Sequence, residues 1–180
     1  MIRLFAALQL NPVSRKLLNG LGSHMPGARA VLEEQLHLTL RFIGEVDGTT
    51  FLDLKDSLAT VQARPVCISI KGVGHFPPRG KPKVLWAGIE PTAELIILRN
   101  KVNSALNQVG IEPEKRKFHP HITLARLNNS PVSRVAQFLT ENSFLQIPPF
   151  TVDILTLYSS TLTHKGPIHT IEAKYPLLTE

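Results

Sequence analysis

Two short segments of the chain carry the same pattern, His37-Leu38-Thr39-Leu40 and His121-Ile122-Thr123-Leu124, close to half the chain apart. Side chains at i and i+2 of a β-strand point to one face. Each segment therefore sets an imidazole and a hydroxyl side by side, with two aliphatic residues behind them. A single His-x-Thr in a strand is usually an ordinary half-buried pair; two copies, each in a strand with a helix soon after, predict a composite site. Imidazole titrates near pH ~6.5, so one ring can be neutral while another is protonated. The neutral ring can take a proton from water, and the charged ring can protonate a departing alkoxide. Threonine hydroxyls can donate to non-bridging phosphate oxygens, where charge grows. This set suits phosphodiester cleavage without a metal.

Residues 2–8 read as a buried strand. Asn11-Pro12 caps a short helix ending near Gly20 and Gly22, and residues 22–35 read as loop. Strands are expected at 36–43, 66–73, 84–89 and 122–125, and further strands near 150–160 and 168–176. Helical spacing of Phe51, Leu54, Leu58 and Val61 predicts a helix over 50–62. Thr92 caps a longer helix lined by Leu95, Leu98, Val102, Leu106 and Val109 and stopped by Gly110. Ser130-Pro131 opens a fourth helix, to about residue 141. Strands and helices do not alternate strictly, so the expectation is an α+β fold. The repeat predicts two antiparallel sheets related by a pseudo-two-fold axis, with helices outside and the motifs facing across a central cleft. Residues 1–180 then form a single domain of two similar lobes.

The 180 residues are 43% hydrophobic and carry a formal charge of +6, which excludes general disorder and suits an anionic partner. The single cysteine, Cys67, excludes an intrachain disulfide and a cysteine-based zinc site, and its strand context predicts that it is buried or half-buried. No apolar run is long enough to span a bilayer, and no cleavage site follows the apolar start. The expected location is the cytoplasm. No Gly-x-Ser-x-Gly elbow and no His-Glu-x-x-His is present. Residues 72–83 fail as a Walker A loop, because Gly80-Lys81 precedes proline, and read instead as a basic flap able to meet RNA backbone. Phe42, Phe76, Trp86 and Phe118 could supply a base-stacking platform; Phe76 and Phe118, beside loops, are the better candidates, and Phe42 and Trp86 are read as core. Arg41, four residues after His37, shares its face by alternation. Arg126, five after His121, falls on the opposite face unless the strand bulges or ends near Ala125. His119 lies two residues before His121, but the neighbourhood lacks the carboxylates that complete most metal sites, so no metal or cofactor is expected. His119 is read as lining the cleft; His24, His75 and His164 are read as surface loop residues.

The repeated His-[Leu/Ile]-Thr-Leu pattern resembles the signature of the two-histidine phosphoesterase superfamily, and nearly the whole chain is similar to its RNA 2′,3′-cyclic phosphodiesterase branch, also called 2′-5′ RNA ligases. Residues 3–8 resemble that branch's opening strand, 37–46 its first motif, 82–88 a mid-chain strand, and 118–126 its second motif. Residues 157–160 and Gly166-Pro167 resemble its C-terminal strands. The resemblance implies His37, Thr39, His121 and Thr123 as the catalytic set and Arg126 as a phosphate contact, with Arg41 a weaker candidate for the same role. It implies hydrolysis of RNA 2′,3′-cyclic phosphate ends to 2′-phosphomonoesters, with reverse 2′-5′ ligation as a side activity. By analogy His37 is the proton donor and His121 the acceptor; the swapped assignment stays open. His169 stands where the family often has tyrosine, so its role is open. The expected partner is RNA with cyclic phosphate ends, with no membrane, no obligate protein partner and a monomeric state. The alternatives are a phosphodiesterase for small cyclic nucleotides and a non-catalytic RNA-binding module, which would not need both histidines.

Overall fold

Five successive buried residues, Leu4 to Leu8, leave strand β1 (Ile2–Gln9) no solvent-facing side over that run. Such a strand belongs in the middle of a sheet. A computed structural model of the chain, which describes residues 1–164 and 166–178, places it there. After β1 come α1 (Pro12–Leu18), β2 (Ala28–Ala30), a 3₁₀ turn (Glu33–Gln35), β3 (His37–Val46) and α2 (Gly48–Ala59). Then follow β4 (Val66–Phe76), β5 (Val84–Ile89), α3 (Ala93–Gln108), β6 (His121–Leu127), α4 (Val132–Glu141), β7 (Gln146–Val152), β8 (Ile154–Thr163) and β9 (Gly166–Pro176).

Side-chain caps fix where three helices begin. Asn11 Oδ1 accepts the Ser14 N–H at 2.7 Å, Asp47 Oδ1 the Thr50 N–H at 2.8 Å, and Thr92 Oγ1 the Leu95 N–H at 3.3 Å. Each cap satisfies a backbone donor that the helix itself cannot. α2 and α3 bury Leu54, Leu58, Leu95, Leu98 and Val102, all at 0% exposure. Fully burying one such aliphatic side chain contributes about 1.5–3 kcal/mol.

The strands form an antiparallel sheet in the order β7-β4-β5-β6-β3-β1-β8-β9, with β2 on β6. Two sheets are expected from the repeat; hydrogen bonding instead runs through one nine-stranded sheet. The reason is the junction of β3 with β6, the two motif strands. They meet at one register pair, Leu38↔Ile122, enough to join the halves but far less than the ladders on either side.

Other boundaries shift for local reasons. β4 continues through Gly74, His75 and Phe76, because β5 offers partners as far as Val84, so the expected loop shrinks and its closure is the 2.7 Å bond from the Lys83 N–H to the Phe76 carbonyl. His75 is thus a half-buried strand residue. The expected strand near 150–160 is two, β7 and β8, divided at Asp153. β2 is too short to leave a periodic signal. Cys67 is exposed, because Val66, Ile68 and Ile70 occupy the inner face of β4 and alternation turns Cys67 outward. No helix is long and apolar enough to cross a membrane among the described residues.

Leu38 and Ile122 are both at 0% exposure. Leu38→Ala should lower unfolding free energy by about 2–5 kcal/mol, read as a shift in the denaturant midpoint, because the junction leaves little freedom to collapse around the cavity.

Candidate active site

The single junction pair sets the site's geometry. One step to either side of Leu38↔Ile122, the antiparallel register puts His37 opposite Thr123 and Thr39 opposite His121. All four side chains lie on the face away from the core, and the two histidines occupy one diagonal. On a regular ladder such neighbours stand about 7–8 Å apart.

Both histidines are held alike. His37 Nδ1 is 2.6 Å from the carbonyl oxygen of Gln35, and His121 Nδ1 is 2.6 Å from that of His119. A carbonyl can only accept, so Nδ1 carries the hydrogen and Nε2 is left with its lone pair. The same device, the carbonyl two residues upstream, thus presents Nε2 as the reactive nitrogen in both motifs. The Thr39 and Thr123 hydroxyls have no protein hydrogen-bond partner among the described residues.

Each motif strand also carries one extra residue. Along β1 and β3 the register passes from Ala7↔Thr39 to Ala6↔Arg41, so Leu40 is surplus. Along β5 and β6 it passes from Trp86↔Thr123 to Leu85↔Ala125, so Leu124 is surplus. An extra residue reverses the alternation beyond it. In β3 this turns Arg41 away from His37, against the expectation from spacing. Arg41 is 7% exposed, its Nη2 donates to the Glu112 carbonyl, and its Nη1 lies 3.8 Å from the Glu114 carboxylate. It ties down the loop ahead of the second motif and is not free for phosphate. The residue brought onto the histidine face is Phe42, 62% exposed, with its ring 6.0 Å from that of Phe5. The core assignment of Phe42 is therefore corrected. In β6 the same bulge brings the exposed Arg126 onto the face of His121, which alternation alone denied it.

Aromatic rings enclose both imidazoles. His37 stacks on Phe5 at 4.9 Å and meets His169 edge-on at 5.5 Å, with Tyr158 behind at 5.9 Å. The Tyr158 hydroxyl accepts from Gln9 Nε2 at 2.6 Å. His121 meets Phe76 edge-on at 4.9 Å, and the Trp86 indole lies 4.9 Å from His119. Trp86 can lie so close because Gly74 has no side chain: a Cβ there would come within 2.2 Å of the indole. Phe76 thus sits at the site. Phe118 does not face it; its ring packs on the core beneath the Arg99 guanidinium, 4.5 Å away.

Residues 16–163 match the model of the 2′-5′ RNA ligase superfamily. The chain belongs to this superfamily. Among its relatives is a protein of Archaeoglobus fulgidus named RNA 2′,3′-cyclic phosphodiesterase, 34% identical over 93% of this chain and 96% of that protein. One of the same name from Aeropyrum pernix is 35% identical over 78% of this chain and 81% of its own length. E. coli LigT, solved in complex with 3′-AMP, superposes with a TM-score of 0.77 at 26% identity, covering 99% of both chains. A Thermus thermophilus structure superposes with a TM-score of 0.78 at 28% identity, covering 97% of both.

In this superfamily member, burial sets the histidine chemistry. Desolvation among the rings pushes His37 down to about 4, helped by the neighbouring His169 and His121 and opposed by the hydrogen bond to Gln35. Desolvation also lowers His121, again opposed by its backbone hydrogen bond, and it lowers His169, with Arg126 adding to the effect. At neutral pH the free site therefore holds neutral imidazoles beside the permanent charge of Arg126.

Sequence reasoning left four neighbours unassigned. His169 reaches His37 only through the pairing of β9 with β8, a contact between distant segments. Tyr158 and Phe5 show no motif, although the apolar run of β1 could have marked Phe5 as central. Arg29 lies in residues 22–35, read as loop, but it is the middle residue of β2 and pairs directly with Arg126.

The lowered His37 value has a consequence for stability. Between pH 4 and 6.5 the unfolded chain binds a proton at this position more readily than the folded one, so stability falls as pH falls through that window. The loss from His37 reaches at most about 3 kcal/mol. Chemical denaturation at pH 7.5 and pH 5 should show a smaller loss for His37→Gln than for the parent protein. An equal loss would mean that His37 is not held neutral by the fold.

Proposed function

We propose that this protein hydrolyses RNA 2′,3′-cyclic phosphate ends to 2′-phosphomonoesters by acid–base catalysis with two histidines. The observation that carries this reading is the pair of imidazoles, each with Nδ1 bound to the carbonyl two residues upstream and Nε2 left free on one face. The names of the Archaeoglobus and Aeropyrum relatives support the choice of substrate.

In the proposed reaction His121 Nε2 accepts a proton from water as its oxygen attacks phosphorus. The bond from phosphorus to O3′ breaks, and His37 Nε2 gives its proton to O3′. The phosphate stays on O2′. Thr39, Thr123 and Arg126 hold the non-bridging oxygens, which gain charge in the transition state. Two features favour this direction of proton flow. Attacking water needs an open approach, and His37 is the more enclosed ring. An imidazolium whose surroundings disfavour its charge also gives up its proton readily. Because His37 is neutral in the free protein, its proton arrives with the anionic substrate. A 5′-hydroxyl in place of water would form a 2′-5′ linkage; water far outnumbers RNA ends, so hydrolysis dominates unless the ends are held together.

The reading includes two lobes related by a pseudo-two-fold axis. Its support is the equivalence of β3 and β6: each carries His-x-Thr, each has one surplus residue directly after the threonine, and each anchors its histidine through the same backbone contact.

Turnover of an oligonucleotide ending in a 2′,3′-cyclic phosphate, followed by product identification, tests the proposal. Activity should persist in excess EDTA and yield the 2′-phosphate. His37→Ala and His121→Ala should each lower kcat by about 10²–10⁴-fold with the fold intact by circular dichroism. Near-normal activity in either variant would sink the two-histidine mechanism. Both histidines are lowered, so the bell-shaped kcat/KM profile should peak below pH ~6.5, the ordinary imidazole value. A maximum in the alkaline range would overturn the acid–base pairing.

A further inference from the structure

Arg29 and Arg126 are direct cross-strand partners on β2 and β6. Partners across an antiparallel ladder project to the same face, with Cα atoms about 5 Å apart. Like charges placed opposite one another destabilise a sheet unless something neutralises them. Both arginines are exposed, and neither has a carboxylate within ion-pair distance among the described residues. Arg126 lies on the face of His121 and Thr123, where the reacting phosphate is proposed to sit. The Arg29 guanidinium reaches in another direction: a Cβ on Gly166, at the start of β9, would lie 3.5 Å from its Cζ and Nη1. Arg29 therefore spans from β2 to the start of β9, the strand that carries His169 to His37. The two guanidinia start from one place in the sheet and diverge, one toward the reacting centre and one toward its rim.

We propose that Arg29 forms a second anion subsite, which binds the phosphodiester preceding the cyclic terminus and makes an oligonucleotide end, not a mononucleotide, the preferred substrate class. A mononucleoside 2′,3′-cyclic phosphate has one phosphate, which Arg126 and the threonines engage. An RNA end offers a second anion at the neighbouring nucleotide, and an extended side chain based beside Arg126 suits that spacing. Arginine meets a phosphodiester through paired N–H donors and keeps its charge at every working pH. Phe42, exposed beside Phe5, offers a ring on the same side of the site for an unstacked base. The inference rests on the proposed cyclic-phosphate chemistry and adds to it the choice between RNA ends and small cyclic nucleotides.

The test compares kcat/KM for adenosine 2′,3′-cyclic phosphate with that for the dinucleotide ApA bearing the same cyclic end. A third substrate is the dinucleotide whose internal linkage is a neutral methylphosphonate. The unaltered protein should favour the charged dinucleotide over both others by about tenfold, the worth of one charge-assisted hydrogen bond. Arg29→Ala should abolish that preference through KM and change the mononucleotide rate by less than about twofold, and Arg29→Lys should restore part of it. The methylphosphonate and Arg29→Ala effects should not add, because they remove the same contact. Equal loss on all substrates would place Arg29 at the reacting phosphate or in the fold and overturn the subsite. No difference between charged and neutral dinucleotides on the unaltered protein would overturn it without any variant. Failure to open any cyclic phosphate would instead strike the proposed function. In that case the affinity for ApA 3′-phosphate, with and without Arg29→Ala, still reads the subsite.

Discussion

The backbone pairing of Leu38 with Ile122 is the contact on which the site depends. Each motif strand is fixed on its other side by a longer ladder, β3 to β1 and β6 to β5. Joining two such units through one pair brings both His-x-Thr motifs onto one face without closing the gap between them. A longer ladder here would set cross-strand side chains in regular contact and leave less room for a ligand between the imidazoles. No pairing would leave the two histidines with no fixed separation, and general acid–base chemistry tolerates little error in distance. Burial of Leu38 and Ile122 makes this minimal junction rigid, since close-packed aliphatic cores resist small displacements.

From that junction outward, backbone fixes what side chains do. The carbonyls of Gln35 and His119 hold Nδ1–H of the histidines two residues later, so ring orientation follows from the approach of the chain to each strand. The surplus residues Leu40 and Leu124 decide which neighbours share the face. The same irregularity has opposite results because the sequences differ after it. Position 41 turns inward carrying arginine, which is tied to Glu112 and Glu114; position 125 turns inward carrying alanine, at 0% exposure. The outward residues are then Phe42 on one strand and Arg126 on the other. Two similar strands thus supply one aromatic and one cationic group.

These particulars show what was legible beforehand. The motif histidines and threonines could be read because strand alternation is local, and the helices because caps and apolar spacing are local. Arg41 was misread because a bulge is a disagreement in register between two strands, and neither strand alone contains it. Arg126 pointed the right way only through family resemblance. Phe118 was misjudged because the Arg99 that covers it sits on α3, remote in sequence. His169, Tyr158 and Arg29 depend on β8, β9 and β2 coming to the site from far along the chain, and single-strand patterns carry no record of such pairings. The expectation of two sheets failed by one register pair, a distinction no periodicity can make.

The electrostatics of the free site oppose its task, and that opposition gives it sensitivity to its ligand. Rings desolvate His37 and hold it neutral, while Arg126 faces Arg29 across a ladder and lowers the basicity of His169. In the absence of an anion the facing like charges repel, and below pH ~6.5 the neutral His37 ring costs stability. A phosphate on the motif face would offset Arg126 and favour protonation of the nearby rings, while Arg29 is left for the second anion. On the proposed mechanism, the proton donor therefore reaches its working state only when the anion is present. The rings that depress His37 also limit its contact with water, so on the proposed mechanism a proton acquired with the substrate is poised for the departing oxygen. A surface-exposed pair of histidines would bind a proton more easily and hold it with less consequence.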